Sequence, residues 1–442
     1  MAALPLADTA LACPHCHHRV AAPPQGSQAR TRWLCPRCGG ALGQALDASQ
    51  RLALGVWAGC TLVLLALAQG LPFLSLTVLG ETNTVSVAGM AVHLLEGDYP
   101  VLGLIYVLFV EALPLLLSAL ALAWLALLPR TNTTSAPSWR QTALVLVTHW
   151  LVRLRPWCMN DIFIVSVLVA LVKVVSYGQV GFGGGFVLVA LAAMATLPLQ
   201  LRIAPARLWP LVAQVPEPPS SGPGSPGPAF ACRDCHAWLP AGSRRCPRCH
   251  SRPQRPRAPH AALALLLTSA LLYVPANALT MMSATLAGNS KDTNIMEGVA
   301  VLWGTGSAPI ALIVFVASIV IPIAKMLALL WLCVQLWPER VPRDAQRAHR
   351  VHQLHRWVEW IGRWSMMDVF VVITLSALVD RGALMAVSPG WGSLWFAAVV
   401  WLTMWSALLL QPHSLWQRLP KTPDPAAAPS VRPPSSAASA PS

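Results

Sequence analysis

The sequence predicts an all-α polytopic membrane protein made of two tandem halves, and three observations carry that prediction. First, 55% of the 442 residues are hydrophobic, 11% are charged, and the mean hydropathy is +0.56, as in chains that cross a bilayer repeatedly. Second, paired C-x2-C knuckles precede each apolar block: Cys13/Cys16 with Cys35/Cys38, then Cys232/Cys235 with Cys246/Cys249. Third, each block carries one phrase, Trp157-Cys158-Met159-Asn160-Asp161-Ile162-Phe163 and then Trp364-Ser365-Met366-Met367-Asp368-Val369-Phe370. Asp161 follows Cys38 by 123 residues and Asp368 follows Cys249 by 119. So constant an offset between two unlike motifs marks a duplicated unit.

The polar, cysteine-bearing N-terminus lacks a charged-then-apolar leader, which argues against a cleaved signal peptide. Residues 10–50 form a first cysteine module, 51–210 a four-helix membrane domain, and 211–229 a Pro/Gly/Ser linker that cannot pack a core. The pattern repeats as a second module over 230–258 and a second four-helix domain over 259–412, followed by a Pro/Ala/Ser-rich tail, 413–442, expected to be disordered. Eight apolar stretches reach the length needed to span a bilayer, near 53–79, 101–128, 158–179, 185–201, 262–287, 308–337, 367–387 and 393–411. Two amphipathic stretches, 139–154 and Ala345–Trp364, mix arginine and tryptophan at helical spacing. Each suits either an interfacial helix or a continuation of the span that follows.

The net charge is +14, and nearly all the arginines lie in 1–52, 129–156, 202–260, 338–364 and 412–442, whereas the basic residues of the opposite loops are only Lys291 and Arg381. That asymmetry puts both termini and both cysteine modules in the cytoplasm. No basic stripe with interleaved aromatics stands apart from the apolar blocks, so nucleic acid is not the expected partner.

Two facing C-x2-C knuckles supply four thiolates to one tetrahedral site, which suits Zn2+, with a single iron of rubredoxin type as the alternative. Each module therefore reads as a zinc ribbon with ligands Cys13, Cys16, Cys35 and Cys38, or Cys232, Cys235, Cys246 and Cys249. Disulfides are disfavoured in a reducing compartment. Cys60, Cys158 and Cys333 fall in or beside spans and read as small buried residues.

Ionisable groups at bilayer depth are costly and mark candidate functional sites. They are Glu111, Asp161 and Lys173 in the first half, and Lys325 and Asp368 in the second. Ser318 and Lys325 share one face of the sixth span, Ser365 and Asp368 one face of the seventh, and Thr403 lies midway along the eighth. The candidate polar pathway is thus Ser318, Lys325, Ser365, Asp368 and Thr403, with Asp161 and Lys173. The plainer alternatives are a Lys325–Asp368 ion pair that fixes helix register, helix caps at Asp161 and Asp368, and snorkelling of Lys173. Pro72, Pro114, Pro275 and Pro322 should kink the first two spans of each half. No nucleophile–base pair, intramembrane histidine pair or G-x4-G-K-[ST] loop is present, so an enzyme is not expected.

The tandem ribbons and the W-x-M-x-D-x-F phrase together resemble the paraquat-inducible protein A family (PqiA/LetA type), over most of residues 10–411. Asp380 departs from the repeat, since its positional counterpart is Lys173. The resemblance implies a bacterial inner-membrane component of a phospholipid transport system, working with an MCE-domain periplasmic protein whose hexameric ring forms a tunnel. Two other readings stay open: a membrane anchor or scaffold that seats the ring, and an iron-ribbon membrane redox protein.

Overall fold

A helix in a bilayer satisfies its backbone polar groups internally, so breaks in it carry information. The computed structural model describes residues 10–13, 16, 19–21, 32–40, 46–78, 81–97, 100–129, 138–174, 179–212, 230–232, 234–239, 243–252, 259–286, 289–304, 308–337, 345–379, 385–410 and 430–432. The first ribbon holds three short strands, β1 (Ala10–Ala12), β2 (Arg19–Ala21) and β3 (Arg32–Leu34). Asp47 then caps α1 (Ala48–Ala68), its carboxylate accepting from the Gln50 N–H at 2.7 Å.

Expected to continue to residue 79, this first helix instead stops at Ala68. Pro72 does not kink it: it opens strand β4 (Pro72–Val78), which pairs antiparallel with β5 (Glu81–Ser86). Alternating polar and β-branched residues favour extended chain here over a helix. Two short helices follow, α2 (Val87–Glu96) and α3 (Pro100–Tyr106). The second span continues through a π-helical segment, Val107–Ala112, into α4 (Leu113–Leu127). Pro114 has no N–H to donate, and the chain widens one step ahead of it, with the Leu113 N–H bonding the Leu108 carbonyl.

The third span is broken. α5 (Ser138–Leu154) and a 3-10 turn, Arg155–Trp157, lead into α6 (Asn160–Val174). Arg140 donates to carbonyls at the end of α4, and Trp124 Nε1 donates to the Thr148 hydroxyl. The amphipathic stretch 139–154 therefore runs antiparallel along α4, as a continuation of the span. β6 (Gln179–Phe182) joins the far edge of β4, and α7 (Gly184–Arg202) and α8 (Pro205–Val212) complete the half.

The second ribbon contributes β7 (Phe230–Ala231) and β8 (Trp238–Leu239). The second half then repeats the plan. It runs through α9 (His260–Ala278), β9 (Met282–Leu286), β10 (Asn289–Thr293), α10 (Ile295–Gly304) and α11 (Ala308–Phe315). A second π segment, Val316–Val320, precedes Pro322 in α12 (Ile321–Gln335). After α13 (Ala345–Trp364) come α14 (Met367–Leu378), β11 (Met385–Pro389), which pairs with β9, and α15 (Trp391–Leu409). Within the tail expected to be disordered, β12 (Ser430–Arg432) pairs with β3 of the first ribbon. The linker from 213 to 229 and the rest of the tail lie outside the described residues.

Among the described residues, eight helical segments are long and apolar enough to span a membrane. Leu52, Val56, Val63 and Leu67 on α1, and Leu267, Leu271 and Val274 on α9, turn outward as an apolar surface suited to lipid. Cys60 also faces outward, contrary to its expected burial, whereas Cys158 and Cys333 are buried.

The halves meet where α6 packs on α14. Phe163 and Phe370, the last residues of the repeated phrase, touch edge to face at 5.9 Å. The glycines that open α7 and α15 are a second duplicated device. A Cβ at Gly183 would collide with the Pro72 carbonyl, and one at Gly390 with the Thr280 carbonyl.

The ribbons are exchanged between the halves. The cysteines of the second ribbon join the large core that holds Leu144, Leu151 and Trp209 of the first half, where His149 Nε2 stands 2.9 Å from the Cys249 carbonyl. Those of the first ribbon join the second half's cluster with Leu266, Leu332 and Val351.

Candidate functional site

In each ribbon the first cysteine of a knuckle accepts, through its carbonyl, from the N–H four residues on: Cys35 from Gly39, Cys232 from His236, Cys246 from His250. The donating residue takes a left-handed backbone, with φ of 65°, 57° and 55° respectively. Glycine adopts that conformation freely and histidine less so. The tight turn aims both thiols of a knuckle inward.

The Sγ–Sγ separations are 3.6 Å for Cys13–Cys38 and Cys16–Cys35, 3.6 Å for Cys232–Cys249, and 3.5 Å for Cys235–Cys246. A disulfide needs about 2.05 Å, and all eight cysteines are free thiols. Four sulfurs at about 2.3 Å from one ion would stand about 3.8 Å apart. Within each quartet the sulfurs lie within 4.8 Å of one another, so each could hold a metal ion. Hydrogen bonds from Cys13, Cys16 and Cys38 pull the Cys35 thiol far below its ordinary range, and those from Cys235, Cys246 and Cys249 do the same to Cys232. The same contacts push the Cys16 and Cys235 thiols up, so the four thiols of a quartet do not ionise alike; thiolate is the form that ligates metal.

Of the five second-half candidates, Ser318, Lys325, Ser365 and Thr403 are buried and Asp368 is partly so. Ser318 lies in the second π segment, buried, its carbonyl 3.5 Å from the Tyr273 hydroxyl. Lys325 is 4% exposed and its Nζ has no hydrogen-bond partner; a Cβ added at Gly362 of α13 would lie 3.3 Å from that Nζ. Ser365 is buried in the break between α13 and α14, and Asp368 follows in the first turn of α14. Thr403 is buried on α15. A buried ammonium without a partner is a high-energy arrangement that a packing role does not require.

Asp161 behaves differently. Arg363, the penultimate residue of α13, crosses to the first half, where its Nη2 donates to the Cys158 carbonyl at 2.8 Å and to both Asp161 oxygens at 3.3 Å. The ion pair at the site thus joins the two halves. Lys173 falls in the last turn of α6, its side chain outside the described part of the structure, as is Asp380. Glu111 lies in the first π segment beside Tyr106 and Gln69.

Sequence reasoning missed Arg363 as a site residue because it sits one position before the repeated phrase, where the first half has Pro156. It also missed Asn160, whose buried amide oxygen accepts from the Thr196 hydroxyl at 3.1 Å. Aligning Gly183 with Gly390 would have paired Thr196 with Thr403.

The family model described as paraquat-inducible protein A matches residues 53–213 and again 260–420. The chain is 36% identical over 422 residues to an Escherichia coli protein named intermembrane transport protein PqiA, covering 93% of this chain and 96% of that one. It is 30% identical over 411 residues to the lipophilic envelope-spanning tunnel protein A of Escherichia coli, covering 91% and 90%. A probable intermembrane transport protein of Haemophilus influenzae is 26% identical over 419 residues, covering 92% and 90%. No solved structure matches significantly.

Proposed function

This chain belongs to the paraquat-inducible protein A family, and on that premise we propose that it is the bacterial inner-membrane component of an intermembrane phospholipid transport system. In this reading it passes lipid to or from the tunnel of an MCE-domain periplasmic protein, with both ribbons and both termini in the cytoplasm. The names of its relatives, an intermembrane transport protein and an envelope-spanning tunnel protein, support the transport class. The observation that carries the reading is Lys325, with no hydrogen-bond partner on its Nζ and buried against Gly362 of α13, three residues before the break in the seventh span. Broken helices that line polar cavities are how transporters build midplane sites.

Lys325, Ser318, Ser365, Asp368 and Thr403 form the headgroup path in this reading. Asp161 joins the second half to it through Arg363. In this reading each ribbon holds one structural Zn2+, the ion that four thiolates from two C-x2-C knuckles suit, with a single iron as the alternative.

Replacing Lys325 with Met removes the charge and keeps the bulk. The variant should insert and fold but fail to complement a strain lacking the protein, and lipid crosslinked from residues around Gly362 should be lost. Full complementation by Lys325→Met would sink the pathway assignment. A scaffold reading draws support from the two three-stranded sheets, at the ends of α1 and α9 away from the ribbons. It gains ground if the crosslinked protein carries no lipid.

A further inference from the structure

The two ribbons are built alike except at one strand. Each pairs the strand before its first knuckle with the strand after it, β1 with β2 and β7 with β8. The knuckles stand 18 residues apart in the first ribbon and 10 in the second. The longer gap gives the first ribbon a third strand, β3, which among the described residues the second ribbon lacks. β3 pairs with neither β1 nor β2. Its ladder partner is β12 of the C-terminal tail, with Ser430 opposite Leu34, Val431 opposite Trp33 and Arg432 opposite Arg32. An edge strand offers a row of N–H and C=O groups for pairing, and extended peptides dock by adding a strand there.

Both strands of this ladder are tied to the first quartet. β3 runs directly into Cys35, whose N–H donates to the Gly40 carbonyl and whose carbonyl accepts from the Gly39 N–H, each at 2.8 Å. The closed knuckle therefore sets where β3 lies. The tail leaves α15 at Leu410, which packs in one cluster with Cys13, Cys16, Cys35 and Cys38. Nineteen residues link Leu410 to Ser430, long enough at roughly 3.3 Å per extended residue to return to the same ribbon. Pro429 and Pro433 flank the strand in sequence and, lacking an N–H, cannot lengthen the ladder by donating to it. Two strands of three residues pair only marginally by themselves. Tethering supplies the high local concentration that keeps them paired, and the pair opens once its template is lost.

We propose that Ser430–Arg432 is a metal-dependent strap, docked on β3 while the first quartet is closed on its metal and released when that metal is lost. The strap rests on the reading that the quartet holds metal. A small four-thiolate ribbon folds together with its ion, and unfolding it removes the edge on which the tail sits. The position of the tail then reports the metal state of the first ribbon alone.

The test puts the photocrosslinker benzoylphenylalanine in place of Trp33 in the full-length protein in detergent, and measures its capture of the tail. Removing metal with a chelator should lower the yield at least about fivefold, and adding Zn2+ back should restore it. Breaking only the second quartet, with Cys235→Ser and Cys246→Ser, should leave the yield unchanged and one ion bound per chain. Replacing Ser430, Val431 and Arg432 together with proline removes every N–H of the tail strand, and should lower the yield with metal content unchanged. A yield that persists after the metal has gone overturns the strap, as does one indifferent to the three prolines. Equal loss on breaking the second quartet, or no recovery with Zn2+, marks general unfolding and overturns it too. Absence of metal from the protein with the second quartet broken defeats the metal reading of the first ribbon, and the strap with it. If that variant does not fold, chelation and Zn2+ return, read against the three prolines, decide the outcome.

Discussion

The two halves share a plan and differ in how they dispose of polar groups. In the first, Asn160 accepts from Thr196 and Asp161 is bound by Arg363. In the second, Met367 stands where Asn160 does, so Thr403 meets no such amide and instead bonds its own helix at the Val400 carbonyl. Three residues after the π-bulge proline the first half has buried Leu117 and the second has Lys325. α14 is buried along Val369–Leu378, touching α2, α3, β4 and β5 of the other half, while α6 leaves Leu168 outward. The first copy binds its carboxylate to an arginine of the other half, and the second keeps a buried lysine whose Nζ has no hydrogen-bond partner. Duplication supplies the frame, and divergence of a few residues sets the polar groups of each copy apart.

The largest effect that would break this comparison comes from the ribbons. Removing one metal should unfold its ribbon, since structural metal contributes on the order of 10 kcal/mol. The exchanged packing predicts that Cys235→Ser with Cys246→Ser deprotects α5 and α8 of the first half in hydrogen exchange. Here His149 Nε2 sits 2.9 Å from the Cys249 carbonyl. Substituting Cys16 and Cys35 should deprotect α12 and α13 instead. Deprotection of the half that follows each ribbon in sequence would refute the exchange.

Next come the paired glycines. Gly183→Ala and Gly390→Ala each force a methyl onto a backbone carbonyl, and each should destabilise by about 3 kcal/mol. Gly298→Ala has open space around it and should be neutral or slightly stabilising. Equal tolerance of all three in thermal unfolding would show that the glycine wedge is not a shared device.

Asp161→Asn should weaken the joint between halves by about 2 kcal/mol, less than for a fully buried pair because both partners are partly exposed. In a double-mutant cycle, Arg363→Ala should add little once Asp161 is gone. Full additivity would mean the pair does not couple the halves.

The smallest effect lies at the first span. Asp47 caps α1, while Pro259 occupies the same place before α9 with no side-chain bond. Asp47→Ala should cost about 1 kcal/mol. The Gln50 N–H and the Ser49 hydroxyl hold the Asp47 carboxyl below its usual range. A depressed carboxyl contributes above its unfolded pKa and loses that contribution as pH falls through its folded value. The stability difference between Asp47→Ala and wild type should therefore shrink in strong acid, and a difference constant with pH would rule out the charged cap.

Much of the frame was legible because it depends on local rules. Cysteine spacing gave both quartets, and apolar length gave the number of spans but not their ends: α1 stops at Ala68 rather than 79, and α9 at Ala278 rather than 287. The strands after α1 and α9 were hidden because their residues are apolar enough to read as an extension of the helix despite their alternation, and part of their pairing, with β6 and β11, lies over a hundred residues downstream. Proline positions pointed to distortion in the second span of each half, but not to its form as a π segment ahead of Pro114 and Pro322. Lys325 was visible as a charge in an apolar run. That it lacks a hydrogen bond, and that Arg363 rather than Lys325 serves as the tie, depends on which helices meet.

The sequence by itself determined the duplication, the thiol quartets and the number of crossings, since these follow from residue type and spacing along one chain. Tertiary structure alone decided that the ribbons trade halves, that Phe163 meets Phe370 and that Asp161 is neutralised from the other copy. The last two contacts join residues more than 200 positions apart, and a repeat specifies equivalent surfaces without saying which copy each will face.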